Sequence, residues 1–245
     1  MSASLRSLVY AAVLCIVCSL LLTAASSGLQ PIQERNVRID RHRNILAAAG
    51  LIQEGAKVSA ADIETLYSRR VRTLQVDAVG RVRTATEPSE GTLPLYLVVE
   101  DGDRIESYIV PIDARGLWGT IHAYLAFGND GTTVRGFTVY RHAETPGLGG
   151  EIEKKWFRDN WVGKKIVTRQ GKFVSVGVAK GRVADIVPSD KREHYVDGIS
   201  GATLTGRYLE AGIRDTLNRY EPVAIQFRKN RTHELESALP PVRDR

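Results

Sequence analysis

Apolar residues run without a charge from Leu8 to Ala25, an 18-residue stretch broken only by Tyr10, Ser19 and Thr23. About 20 such residues cross a bilayer as a helix, so residues 1–30 are expected to form a membrane anchor. A cleaved signal peptide competes with that reading, with Arg6 ahead of the run and Thr23-Ala24-Ala25 at a plausible cleavage point. The retained anchor is the expectation. Past it, Ile39, Leu46 and Ile52 among alanines predict a helix over 39–54 that stops at Gly55. Ser59 is placed to cap a second helix, with Asp62 in its first turn and Ile63, Leu66, Val71 and Leu74 on its apolar side.

The pattern then changes to strands. Runs over 93–100 and 104–112 meet at Asp101-Gly102, a hairpin signal. A second pair, 117–127 and 132–141, turns at Asn129-Asp130-Gly131, and a third, 166–168 and 172–179, turns at Gln170-Gly171. Leu204, Tyr208, Ile213, Thr216, Leu217 and Tyr220 follow helical spacing and predict a last helix over 202–220. The fold class expected is α+β: an antiparallel sheet flanked by helices, with one N-terminal transmembrane helix. The expected division is an anchor over 1–30, a helical lead-in over 31–90, a ligand-binding domain over 91–220 and a peripheral polar tail over 221–245.

Composition narrows the chemistry. Of the 245 residues, 43% are hydrophobic and 25% charged, as in an ordinary folded chain, and the net charge of +6 is too mild to choose a partner. Cys15 and Cys18 are the two cysteines, and both lie in the apolar segment. The body therefore has no thiol for a disulfide, zinc site or iron–sulfur cluster. The histidines lack metal-ligand spacing, and no metal is expected. Trp156, Phe157 and Trp161 among Lys154, Lys155, Arg158, Lys164 and Lys165 have the mix that binds single-stranded nucleic acid. At helical spacing they read instead as a core-facing stripe with solvated lysines, so no nucleic acid is expected.

Two segments carry candidate chemistry. Asp197-Gly198-Ile199-Ser200-Gly201-Ala202-Thr203 reads as a turn entering a helix, with Ser200 as N-cap and Thr203 at the third helical position. The first amides of a helix have no internal partner, and its dipole favours an anion there. A phosphate on the Thr203 hydroxyl would meet converging donors. The bland alternative is a capped helix that binds nothing. The second segment, His142 to Gly150, holds Glu144, Thr145, Pro146, Gly147, Leu148 and Gly149. Its glycines leave backbone exposed, able to lie against a flat ligand.

Taken together, in order and separation, these segments resemble the C subunit of the sodium-translocating NADH:quinone reductase. Gly116-Leu117-Trp118, Gly136-Phe137-Thr138, Glu144 to Glu151, Trp161 to Lys165 and Asp197 to Thr205 all occur in family order. The resemblance implies FMN joined as a phosphoester to Thr203, the threonine closing Ser200-Gly201-Ala202-Thr203. It implies a separate flavin transferase that uses FAD as donor with a divalent metal, with Asp197 in the stretch recognised. The loop over 144–149 is the counterpart of the one bordering the isoalloxazine ring, and Lys180 of a lysine near the phosphate. Trp118 and Leu148 look placed to cover the ring, with Leu204 and Thr205 beside the attachment point.

The resemblance further implies an electron-relay role with no catalytic residue beyond the flavin. The partners would be the other membrane subunits, the transferase and the membrane itself. The location implied is the bacterial inner membrane, single-pass, with the soluble domain on the periplasmic side. Counted by charge, Arg6 before the segment and Arg35, Arg38, Arg41 and Arg43 after it favour the opposite orientation. An N-terminal segment of signal type commonly exports the domain behind it, and export is the expectation. The alternatives are the G subunit of an Rnf-type electron transport complex, or a membrane-bound flavin redox-sensing module.

Overall fold

The computed structural model describes residues 2–53, 55–83, 91–100 and 104–239, which divide into two compact units, 1–41 and 42–245. The first is helical. Helix α1 (Ala3–Ala48) continues through Pro31, and among the described residues it is the one helix long and apolar enough to cross a bilayer. Its apolar side chains from Leu5 to Leu29 are exposed, as a lipid-facing surface requires. Cys15 and Cys18 are free and exposed on it.

In the second unit, α1 ends at Ala48 and Gly50 comes next but one at φ +74°, so the expected helix over 39–54 stops several residues early. Residues 51–53 are not helical, and Glu54 lies outside the described residues. Helix α2 (Ala60–Arg70) is capped as its sequence requires: Ser59 Oγ accepts the Asp62 N–H at 3.1 Å. Ser59→Ala is expected to lower stability by about 1 kcal/mol in a urea or thermal melt.

Val71 and Leu74 correct the sequence reading, because α2 stops at Arg70 and they open strand β1 (Val71–Val76). Arg72 and Gln75 are buried along with their apolar neighbours, so β1 lacks the alternation that marks a half-buried strand. Strands β2 (Val82–Arg83), β3 (Leu93–Val99), β4 (Ile105–Arg115), β5 (Thr120–Gly128) and β6 (Val134–Arg141) complete an antiparallel sheet in the order β2-β1-β3-β4-β5-β6. The span expected as a helical lead-in thus supplies two strands. The first two expected hairpins are present, although the Asp101-Gly102 turn lies outside the described residues.

The third hairpin shrinks to a turn closed by Thr168 N–H on the Lys172 carbonyl, with a single bridge at Val167 and Phe173. The chain then forms a short parallel pair, β7 (Gly177–Val178) with β8 (Tyr195–Val196). Between them lie α4 (Val183–Ile186) and a 3₁₀ turn over Ser189–His194.

Helix α5 (Thr203–Arg228) covers the sheet face carrying Val110, Ile112, Leu125 and Phe127, burying Leu209, Ile213, Leu217 and Tyr220 against it. Tyr108 is sandwiched between Phe127 and Phe227, with ring centroids 5.2 and 4.4 Å away. The tail beginning at Glu221 is therefore not peripheral. α5 runs through Pro222, and Val223, Ala224 and Phe227 are buried, as is Leu235 in α6 (His233–Ser237). Those side chains extend the stripe of Tyr220 at helical spacing, so packing outweighs the hydrogen bond that proline removes.

Candidate flavin site

Three segments far apart in sequence converge at the start of α5. The first is the connection between β4 and β5, where Gly116 N–H reaches the Gly119 carbonyl at 2.7 Å and presents Trp118 at 68% exposure. The second is the loop after β6. It turns with Gly147 at φ +74°, Leu148 N–H on the Thr145 carbonyl, and closes into a 3₁₀ turn over Gly149–Glu153 that leads to α3 (Lys155–Asp159). The third is Ser200-Gly201-Ala202, entering α5.

Glu144 joins the first two to the opening turn of α5. It is 5% exposed. One carboxylate oxygen accepts the Trp118 N–H at 3.0 Å, and the other accepts the Thr205 hydroxyl at 2.5 Å. Gly116 and Gly149 make room: a Cβ on either would stand 2.5 Å from a Glu144 oxygen. The Glu144 N–H donates to His142 Nδ1, which leaves the ring proton on Nε2 facing Glu153 at 3.1 Å. Lys154 foremost, and His142 with it, hold the Glu153 carboxyl below the usual carboxylate range.

The entry to α5 differs from the sequence reading. Thr203 is the first helical residue, not the third, and Ala202 occupies the cap position with no side-chain bond. Ser200 is an exposed turn residue. Gly201 at φ +75° swings the chain into the helix, in a backbone conformation that side chains resist. Capping by Ser200 is thus replaced by a glycine turn. Gly206 is the first donor within this turn, to the Ala202 carbonyl at 3.0 Å, so the amides of Thr203, Leu204 and Thr205 precede the intrahelical ladder.

The two threonines are in opposite environments. Thr203 is exposed, whereas Thr205 is 1% exposed and spent on Glu144. The segments that meet at the start of α5 each present an exposed apolar side chain: Trp118, Leu148 at 44% and Leu204 at 46% exposure. Leu148 reaches across to Gly201, where a Cβ would meet its Cδ2 at 2.8 Å. Leu204 and Tyr208 follow the helical spacing yet point away from the core, and Arg115 lies 5.4 Å over the Tyr208 ring.

Residues 179–181 run beside 196–198. Ala179 N–H reaches the Val196 carbonyl at 2.9 Å, and Gly198 N–H the Gly181 carbonyl at 2.8 Å. This brings exposed Lys180 alongside the approach to Thr203. Asp197 is fixed by the Val183 N–H at 2.6 Å, which starts α4. Burial pushes the Lys164 ammonium below its ordinary pKa, against the opposing charge of Asp197.

The arrangement suits a tethered flavin phosphate. Thr203 is exposed among amides that precede the helical ladder, Lys180 lies on the segment paired with 196–198, and exposed apolar side chains suit a flat ring. Gly116 and Gly198, which sequence reasoning passed over as site residues, prove to be close-approach positions. The only signal for Gly198 was its place beside Asp197. Among the described residues no cluster has metal-ligand geometry.

Comparison with known proteins identifies the family. Residues 116–218 match the FMN-binding domain family. The chain is 33% identical over 242 residues to the C subunit of the Na(+)-translocating NADH-quinone reductase of Yersinia pestis, covering 87% of this chain and 86% of that one. It is 34% identical to the C subunit of the Pseudomonas aeruginosa enzyme, covering 84% and 88%. The crystal structure of the C subunit from Parabacteroides distasonis superposes with a TM-score of 0.68 at 29% identity, covering 80% of this chain and 96% of that one. With its FMN-binding domain and its apolar N-terminal helix fit for a single-pass anchor, the chain belongs to the family of the C subunit of the Na(+)-translocating NADH-quinone reductase, an oxidoreductase complex.

Proposed function

We propose that this chain carries FMN covalently, as a phosphoester on Thr203, and relays electrons within the complex without turning over a substrate itself. The observation that carries the reading is the contrast between the two threonines: one hydroxyl open at the head of α5, the other buried on Glu144. When bound, FMN supplies the capacity to take up and pass on electrons one at a time. The chain's own residues do the rest. Thr203 holds the phosphate beside the amides of the first turn, and Lys180 offsets its charge. Trp118, Leu148 and Leu204 present apolar surface to the ring, while Glu144, Thr145, Gly147 and Gly149 shape the loop that carries Leu148.

For maturation, the Thr203 hydroxyl displaces AMP from FAD on a separate flavin transferase with a divalent metal. The hydroxyl proton is released and a new oxygen–phosphorus bond replaces the one broken in the pyrophosphate. Ser200, Gly201 and Ala202 form an exposed turn that such an enzyme can grip, and Asp197 keeps that turn in register through α4. The N-terminal helix stays attached as an anchor, the body lies on the periplasmic side, and the other membrane subunits supply the sites for NADH and quinone.

The test is mass spectrometry of protein taken from its native membrane. Trypsin releases residues 193–207 as one peptide, which is expected to carry the mass of FMN less one water, with fragmentation assigning it to Thr203. An unmodified peptide ends the proposal. A reporter fused after Arg245 is expected to behave as exported; a cytoplasmic readout reverses the orientation.

A further inference from the structure

We propose that Glu144 is a positioning residue whose buried negative charge sets the midpoint potential of the flavin, an inference that rests on the site described under Proposed function. Glu144 is tied to the segments that carry the exposed apolar side chains: it accepts from the Trp118 backbone, Leu148 belongs to its own loop, and its hydroxyl donor Thr205 follows Leu204. A flat ring tethered to Thr203 and resting on Trp118, Leu148 and Leu204 therefore lies against segments that share this buried carboxylate.

Both Glu144 oxygens accept, one from the Trp118 backbone N–H and one from the Thr205 hydroxyl. Among the described residues Glu144 has no ion-pair partner; it is held by a backbone amide and a hydroxyl alone. A buried charge offset only by neutral donors projects its field into the low-dielectric space beside it. An electron arriving next to that field is disfavoured, so the carboxylate lowers the potential. Gly116 and Gly149, whose missing side chains leave room for the carboxylate oxygens, keep the charge in one place.

A purely structural clamp predicts something different. In Glu144→Gln the amide still accepts from Trp118 and can donate to Thr205, so the three segments stay joined while the charge is gone. The experiment is a spectroelectrochemical titration of the full-length chain, matured with a flavin transferase, beside thermal melts of flavin-free protein. Glu144→Gln is expected to shift the oxidised-to-reduced ratio at fixed potential at least tenfold toward reduced flavin, about 59 mV for a one-electron couple. Its melt and its fluorescent band after denaturation are expected to persist.

A smaller shift, no shift, or one in the negative direction overturns the proposal. If Glu144→Gln does not fold, the comparison moves to a Thr205→Ala background, where space beside the amide is relieved. The same positive shift is expected there relative to Thr205→Ala alone. A parent chain with no covalent flavin band refutes the functional reading first, and this inference with it.

Discussion

Thr203→Ala is expected to abolish the flavin fluorescence that stays with the chain after full denaturation, when a transferase is co-expressed. Thr205→Ala is expected to retain it. The two hydroxyls are two residues apart and identical in chemistry, so only their surroundings distinguish them. Thr203 is exposed at the first position of α5, where the amides ahead of the helical ladder favour a phosphate. Thr205 is packed inside and donates to Glu144. Its removal leaves a buried carboxylate oxygen without its donor, so Thr205→Ala should lower stability by about 1–3 kcal/mol while keeping the band. Thr203→Ala, truncating an exposed side chain, should melt within about 0.5 kcal/mol of the parent. Loss of the band in Thr205→Ala but not in Thr203→Ala would move the attachment point and void the account of the site.

Gly198→Ala is expected to be the most damaging small substitution near the site. A Cβ there would stand 2.0 Å from the Ala179 carbonyl oxygen and 3.0 Å from its carbon, with the Gly181 nitrogen at 3.1 Å. All three are backbone atoms, so no rotamer change relieves the clash. Overpacking usually costs about 1–3 kcal/mol, and a contact this close to fixed backbone belongs at the top of that range or above it. For a domain of this size that is a fall of roughly 6–12 °C in Tm. Because residues 179–181 hold the strand that feeds Asp197 to Thr203, the same change should also reduce flavin loading. A melt within a degree of the parent would show that the two segments do not meet as described.

Two of the three expected hairpins were legible in the sequence because their cause is local. β3 with β4 and β5 with β6 combine strand-like runs with short turn signals, and Asp130 shows how such a turn closes: its carboxylate accepts the Thr132 and Thr133 amides, each at 2.9 Å. β1 was not legible. Val71 and Leu74 are three residues apart, the spacing of a helix face, and burial of Arg72 and Gln75 removed the contrast that separates strand from helix. The same limit hid the end of α5. The residues after Tyr220 are expected as a peripheral polar tail, and the burial of Val223, Ala224 and Phe227, with Phe227 stacked on Tyr108, shows why the helix continues.

By itself the sequence determined the long apolar N-terminal helix, the α+β class and two of the three expected hairpins, since hydrophobic runs and turn residues are short-range properties. The tertiary structure decided which threonine is open, how Ser200 to Thr203 enter the helix, and what Glu144 does. Those outcomes depend on a backbone amide 26 residues away and a hydroxyl 61 residues away arriving at the two oxygens of Glu144. A contact of that separation costs loop-closure entropy that only the completed sheet and helix can offset, so no local pattern announces it.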